Sequence, residues 1–105
     1  MTKVGEHITL DIIGTTKDYD SYVFEKVIND IAKAAKVTIL KISKYKFEPQ
    51  GFTILALLAE SHISFHTFPE KGIISFDFFT CGKISPSIAL DIVKKEFKNK
   101  RIVKP

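Results

Sequence analysis

Four β-rich segments follow one another between Val37 and Phe79, and only short turn sequences separate them. Successive strands joined by short turns pair antiparallel, because a parallel pair needs a crossover of a dozen or more residues. This order constrains the chain to an antiparallel sheet built largely from sequence neighbours. The four predicted strands are residues 37–46, 52–59, 61–67 and 73–79.

Two amphipathic helices and two outer strands complete the predicted fold. Asp20 or Ser21 caps a helix that ends near Lys36, and Ser85 with Pro86 starts a second helix as N-cap and first helical residue. The sequence thus predicts one α+β domain over residues 1–105, a two-layer α/β sandwich whose mainly antiparallel sheet is covered on one face by two helices. The outer strands are residues 6–13 and 102–103, residues 14–18 form a turn, and the first helix buries Phe24, Val27, Ile28 and Ile31.

The apolar pattern also predicts which strand faces are buried. Strict alternation places Ile39 on one face of its strand, and Leu40 with Ile42 on the other. The continuous apolar run 52–59 is typical of a strand that is covered on both sides.

Composition excludes several classes of protein. The net charge is +4, and basic residues gather near the C-terminus, where a solvated helix face explains them without a nucleic-acid partner. The single cysteine excludes an internal disulfide. No apolar run approaches the ~20 residues that span a bilayer, and the N-terminus lacks the apolar core of a signal peptide. We therefore expect a cytoplasmic protein that binds neither membrane nor nucleic acid.

The segment 60–82 concentrates the reactive side chains, including Ser61, His62, His66 and Cys81. Taken singly, each has an ordinary structural explanation, such as a strand hydroxyl or a small buried thiol. His62, His66 and Cys81 are also acceptable zinc ligands, but the segment lacks the paired spacings of most zinc sites. We therefore expect no metal.

Three parts of this segment match, in order and spacing, the self-cleavage region of a known family. The chain resembles the prokaryotic S-adenosylmethionine decarboxylases, which are made as proenzymes. The resemblance extends upstream and covers nearly the whole chain. The matching parts are Glu60-Ser61-His62, His66-Thr-Phe-Pro-Glu70 and Thr80-Cys-Gly82, with Lys46–Gly51, Gly5-Glu-His7 and Leu10–Ile12 upstream.

The resemblance implies that the chain cuts itself between Glu60 and Ser61 into a β chain, 1–60, and an α chain, 61–105. Ser61 then becomes a pyruvoyl group, which replaces pyridoxal phosphate and forms a Schiff base with the substrate. Serine suits this reaction because its Oγ is a nucleophile and, once acylated, a leaving group.

The resemblance also assigns roles to residues around Ser61. His66 assists processing by removing the Cα proton, and Cys81 donates the proton that completes decarboxylation. Thr53 occupies a position where the family commonly has a processing serine. For the substrate, Glu70 would hold the ribose hydroxyls, and Phe47 and Phe68 would sandwich the adenine, although the family usually has Trp at the position of Phe68.

The implied function is decarboxylation of S-adenosylmethionine to the aminopropyl donor of spermidine and polyamine synthesis. A pyruvoyl-dependent arginine or ornithine decarboxylase is the alternative, and an unprocessed, non-catalytic binding partner is a further one. The resemblance implies a homodimer of cleaved protomers with shared active sites, in which Phe47 serves the partner's site. Ser61 and His66 have opposite parity, so an uninterrupted strand would point them to opposite faces.

Overall fold

Six strands make up the sheet of the computed structural model, which describes residues 4–15, 19–81 and 84–105. The spatial order is β2-β3-β4-β5-β1-β6, and every neighbouring pair is antiparallel. The predicted α+β sandwich is therefore confirmed. The strands are β1 (Glu6–Ile13), β2 (Ile39–Lys46), β3 (Phe52–Leu58), β4 (Ser61–Phe68), β5 (Ile73–Thr80) and β6 (Arg101–Val103), and the helices are α1 (Ser21–Ala35) and α2 (Ser87–Glu96).

Helix α1 begins directly after its predicted cap, whereas α2 begins one residue after the predicted first helical position. The Asp20 carboxylate accepts a hydrogen bond from the Tyr22 backbone N–H at 3.0 Å, which satisfies one free donor of α1. Helix α2 begins at Ser87, slightly later than predicted, but the Ser85 hydroxyl still accepts from the Ser87 N–H at 3.3 Å. The Asp20 cap was thus predicted correctly, whereas Pro86, which makes no side-chain hydrogen bond, occupies the N-cap of α2 in place of Ser85.

The hydrophobic core lies between the sheet and the two helices. Phe24 of α1 packs against Phe52 and Phe65, with ring centroids 5.2 and 4.9 Å apart. Alternation along each strand sends one set of side chains into this core and the other set to the opposite face, here called the open face. Strand residues in the core include Leu10, Ile12, Ile54, Ala56, Leu58, Ile63, Phe65, Ile74, Phe76 and Phe78.

Two predictions about strand faces were wrong. A β-bulge between Ile39 and Lys41 shifts the register of β2, so that Ile39 and Ile42 both pack against the core while Leu40 is exposed. Strand β3 is covered on one face only, because Leu55 and Leu57 are 45% and 51% exposed on the open face.

The predicted turn at residues 14–18 is described only in part. The backbone N–H groups of Gly14 and Thr15 both donate to the Gly72 carbonyl, at 2.9 and 3.0 Å. Residues 16–18, and Gly82 of the Thr80-Cys-Gly82 motif, lie outside the described residues. Neither described helix is long and apolar enough to cross a membrane.

Candidate active site

A tight turn presents the predicted cleavage bond at one end of the sheet. Leu58 pairs with Ser61 across the hairpin, so only Ala59 and Glu60 connect β3 to β4. Glu60 has a φ of +63°, a left-handed conformation that costs a non-glycine residue about 1–3 kcal/mol. The Cys81 thiol donates to the Glu60 carboxylate at 3.4 Å. Glu60, Ser61 and Cys81 together are called the cleavage end.

The Ser61 side chain faces the helices and is only 8% exposed. Its Oγ has no hydrogen-bond partner among the described residues, which is unusual for a buried polar atom. A small cavity of about 30 Å³ adjoins it, and Cys81 lines the same cavity among the apolar side chains of Ala35, Val37 and Phe78. The structure thus brings Ser61 and Cys81 together, with the serine hydroxyl uncommitted.

A second group of predicted site residues lies toward the other end of β4. Thr53 of β3 pairs with His66, and the Thr53 Oγ1 lies 3.0 Å from the His66 Nδ1. Phe68 ends β4 half-exposed, and the exposed Glu70 follows it in the short 3₁₀ helix Pro69–Lys71. Thr53, His66, Phe68, Glu70 and Phe47 together are called the His66 end.

Phe47 belongs to this group because it follows the last residue of β2. Its N–H donates to the Gly51 carbonyl at 2.8 Å, at the turn that leads into β3. The ring is 47% exposed, and its centroid lies 5.0 Å from that of Tyr45. It therefore offers an accessible aromatic surface.

One uncut chain does not bring the two groups together. His66 lies five residues after Ser61, which is roughly 17 Å along a strand and on the opposite face of the sheet. Phe68 and Glu70 lie still farther from the cleavage bond. The parity conflict noted in the sequence is therefore real, and β4 contains no bulge that would resolve it.

Sequence reasoning missed a polar cluster on the open face. The Asp77 carboxylate accepts from the Ser64 hydroxyl and lies 2.7 Å from the His7 Nε2 and 3.1 Å from the His62 Nε2. Burial alone would raise the pKa of Asp77, but the hydrogen bonds from Ser64, His7 and His62 and the charge of His62 hold this pKa below its ordinary value. An acidic residue inside the apolar run 73–79 could have indicated a polar site. Its partners could not be identified from the sequence, because they lie on two other strands.

Known proteins match the chain over nearly its full length. The model of the S-adenosylmethionine decarboxylase family matches residues 6–104. Two proteins named S-adenosylmethionine decarboxylase proenzyme are each 38% identical to it. The one from Brevibacillus brevis aligns with 90% of this chain and 73% of its own, and the one from Methanococcus maripaludis with 97% and 86%.

A solved structure agrees with these relatives. The crystal structure of the adenosylmethionine decarboxylase from Aquifex aeolicus is 34% identical and superposes with a TM-score of 0.79. The match covers 100% of this chain and 89% of that protein. The resemblance found in the sequence is thereby confirmed, and the chain belongs to the S-adenosylmethionine decarboxylase family.

Proposed function

We propose that this chain is a pyruvoyl-dependent S-adenosylmethionine decarboxylase that activates itself by cutting between Glu60 and Ser61. The observation that carries the proposal is the buried, unpartnered Ser61 hydroxyl directly after the left-handed Glu60. A strained turn raises the energy of the uncut bond, and an unpaired hydroxyl loses no hydrogen bond when it attacks. The product would be the aminopropyl donor of polyamine synthesis.

The cleavage needs only groups of this chain and water. The Ser61 Oγ bonds to the Glu60 carbonyl carbon as the C–N bond breaks, and the proton passes to the Ser61 nitrogen, which gives an ester. Loss of the Ser61 Cα proton then expels the Glu60 carboxylate. The elimination leaves a dehydroalanine at position 61, and its hydrolysis releases ammonia and leaves a ketone. Residues 1–60 and 61–105 are then the two fragments.

The residues at the cleavage end fit a pyruvoyl group at position 61. Such a group would supply a carbonyl that captures the substrate amine and an electron sink for the pair that stays on the substrate carbon when CO2 leaves. The Cys81 thiol lines the same cavity as Ser61, so it is placed to return a proton to the substrate carbon. Cleavage also makes Glu60, the present acceptor of the thiol hydrogen bond, the terminus of the first fragment.

A homodimer would supply the groups that the cleavage end lacks. Leu55, Leu57 and Tyr45 form an exposed apolar stripe on the open face, which sheet-on-sheet stacking would cover. A two-fold axis that lies between the two sheets, perpendicular to the strands, makes β4 of the second copy run in the opposite direction. The cleavage end of one copy then faces the His66 end of the other.

In this arrangement each active site combines two chains. One copy contributes Ser61 and Cys81, and the other contributes His66 to remove the Cα proton, with Thr53 holding its imidazole. Phe47, Phe68 and Glu70 of that second copy would bind the adenine and ribose of the substrate. The separation along β4 is then no longer an obstacle, because Ser61 and His66 of one chain need not meet. The Ser61 side chain, which faces the helices in the uncut chain, would turn toward the open face as the site assembles.

The decisive experiment is an intact-mass spectrum of the purified chain, followed by an assay of CO2 release. We expect two fragments that meet at Glu60 and Ser61, the second carrying a borohydride-sensitive ketone, and CO2 from S-adenosylmethionine. A single chain near 11.9 kDa after long incubation would refute self-cleavage. Turnover of arginine or ornithine alone would replace the proposed substrate, and the smaller ring at Phe68 makes this comparison worthwhile.

A further inference from the structure

Three neighbouring strands bring two imidazoles and a carboxylate to one point on the open face. One ring nitrogen of His7, one of His62 and a carboxylate oxygen of Asp77 all lie within 4.8 Å of one another. Among residues 4–15, 19–81 and 84–105, no other group of three such ligand atoms lies this close. The cluster shares only His62 with the zinc set that the sequence argued against.

The strand register explains why these side chains converge. Phe79 of β5 pairs with His7 on one side and with His62 on the other. Asp77 lies two residues earlier on the same face of β5, so each ring reaches it along a diagonal. The His62 ring stacks on Phe79 with an interplanar angle of 12° and a centroid separation of 6.0 Å, which fixes the direction of its Nε2.

We propose that His7, His62 and Asp77 bind a divalent transition-metal ion of the zinc class. Two neutral imidazole nitrogens and one carboxylate oxygen are a common ligand set for such an ion, with water in the remaining position. Tetrahedral ligand atoms lie about 3.3 Å apart at ordinary zinc distances, somewhat farther than the hydrogen-bond separations of 2.7 and 3.1 Å between Asp77 and the two imidazoles. Small rotations of the rings would admit the ion.

The surroundings of the carboxylate support binding. The Ser64 hydroxyl donates to one Asp77 oxygen, which leaves the other oxygen, the one facing both histidines, to bind the metal. Hydrogen bonds of this outer kind orient a metal ligand and typically change affinity about 10–100-fold. In a single copy His7 and His62 are 47% and 39% exposed, so an ion and a bound water reach the site from solvent before two copies stack.

The position of the cluster gives the metal a role that rests on the proposed function. After a cut before Ser61, His7 belongs to the first fragment, and His62 and Asp77 belong to the second. A bound ion would therefore connect the two fragments. It would also hold residue 62, the neighbour of the new N-terminus, in the sheet.

Binding is tested on the full chain in the uncleavable Ser61→Ala background, so that the result does not depend on cleavage. Co²⁺ is titrated and its visible absorption recorded, and Zn²⁺ is measured by equilibrium dialysis. We expect one ion per chain, and a loss of affinity of more than about 100-fold in His7→Gln and in Asp77→Asn. Ser64→Ala should lose about 10-fold.

His66→Gln is the matched control, because His66 is a β4 histidine on the same face outside the cluster. It should bind as tightly as its parent. Less than a tenth of an ion per chain, unchanged affinity in His7→Gln, or a sulfur-to-cobalt charge-transfer band from Cys81 would each overturn the metal site.

The connecting role is tested on the cleaved wild-type protein. Zn²⁺ at a hundredfold excess over its dissociation constant should raise the melting temperature by about 10–20 °C, and a chelator should reverse the change. His7→Gln should show neither effect. A shift in cleaved His7→Gln as large as in the wild type would overturn the connection, whereas a wild-type chain that stays uncut refutes the proposed function and leaves the binding titrations valid.

Discussion

The two ends of β4 differ in the chemistry that they hold. The cleavage end has the strained bond, the unpaired hydroxyl and the thiol, but no histidine is among the described residues that line its cavity. The His66 end has a histidine oriented by Thr53 and the exposed rings of Phe47 and Phe68, but no bond to cut. If the proposed function is correct, a single copy therefore holds two halves of a site, separated by most of a strand.

The sharpest test of this division is complementation between two inactive variants. Ser61→Ala alone should stay uncut with no turnover, and His66→Ala alone should stay essentially uncut. Co-expressed, they should form mixed dimers in which the Ser61→Ala copy supplies His66 to the other chain. We therefore expect the mass spectrum to show cleavage of the His66→Ala chain only. Absence of cleavage in verified mixed dimers would mean that Ser61 and His66 act within one chain.

Adjacent residues of β4 should separate stability from chemistry. Phe65 is fully buried in the core, so Phe65→Ala should lower the free energy of unfolding by about 3–5 kcal/mol. His66→Ala removes a half-exposed ring on the open face and should cost no more than about 1 kcal/mol. Urea unfolding in the Ser61→Ala background measures both without interference from cleavage. Equal losses would contradict the assignment of the two faces.

At the cleavage end, Cys81→Ser should leave self-cleavage intact but slow decarboxylation about 100-fold, because a hydroxyl is a much weaker acid than a thiol. Fragment formation is followed by mass and turnover by CO2 release. Thr53→Val is the matched variant from the His66 end and should instead slow cleavage. A Cys81→Ser enzyme with unchanged turnover would remove the thiol from the reaction.

The open face should matter for association more than for folding. Leu57→Lys places a charge in the apolar stripe and should raise the dimer dissociation constant at least about tenfold, since a buried Leu contributes roughly 1.5–3 kcal/mol. Analytical ultracentrifugation measures the change. Tyr22→Lys, at a 70% exposed position on α1, is the control and should leave association unaltered.

The smallest expected effect concerns acid stability of the metal-free protein. Because the folded-state pKa of Asp77 is lowered, its ionised form stabilises the fold above the ordinary value of 3.8, and this contribution disappears as pH falls through the folded-state pKa. Hydrogen bonds to the carboxylate suggest a contribution of about 1 kcal/mol. Below pH 4, the free energy of unfolding should therefore depend less on pH in Asp77→Asn than in the parent chain, as measured by urea unfolding at a series of pH values.

The fold was largely predictable because local signals agreed with the global arrangement. Turn residues bounded each strand, and Asp20 and Ser85 marked the helix starts through their capping side chains. The bulge at Ile39 was not predictable, since nothing in strict alternation indicates an extra residue in β2. The exposure of Leu55 and Leu57 was missed for a related reason: an apolar run does not tell whether its second face meets helices or another chain.

The candidate site was predictable only where residues are neighbours in sequence or match the family. Glu60 and Ser61 followed from the cleavage motif, and the contact between Cys81 and Glu60 agrees with their grouping. The cluster of His7, His62 and Asp77 required the pairing of β1 and β4 on either side of β5, which no local pattern specifies. Long-range strand pairing was thus the missing information.

The strand order determines how firmly the two fragments stay together after the proposed cut. Residues 1–60 supply β1, β2 and β3, while residues 61–105 supply β4, β5 and β6, so the fragments alternate across the sheet along three shared seams. The nicked molecule is therefore an interleaved pair that cannot separate by opening one edge. Its unfolding becomes dissociation, so its melting temperature should rise with protein concentration, and strands from both pieces must meet again before it can refold.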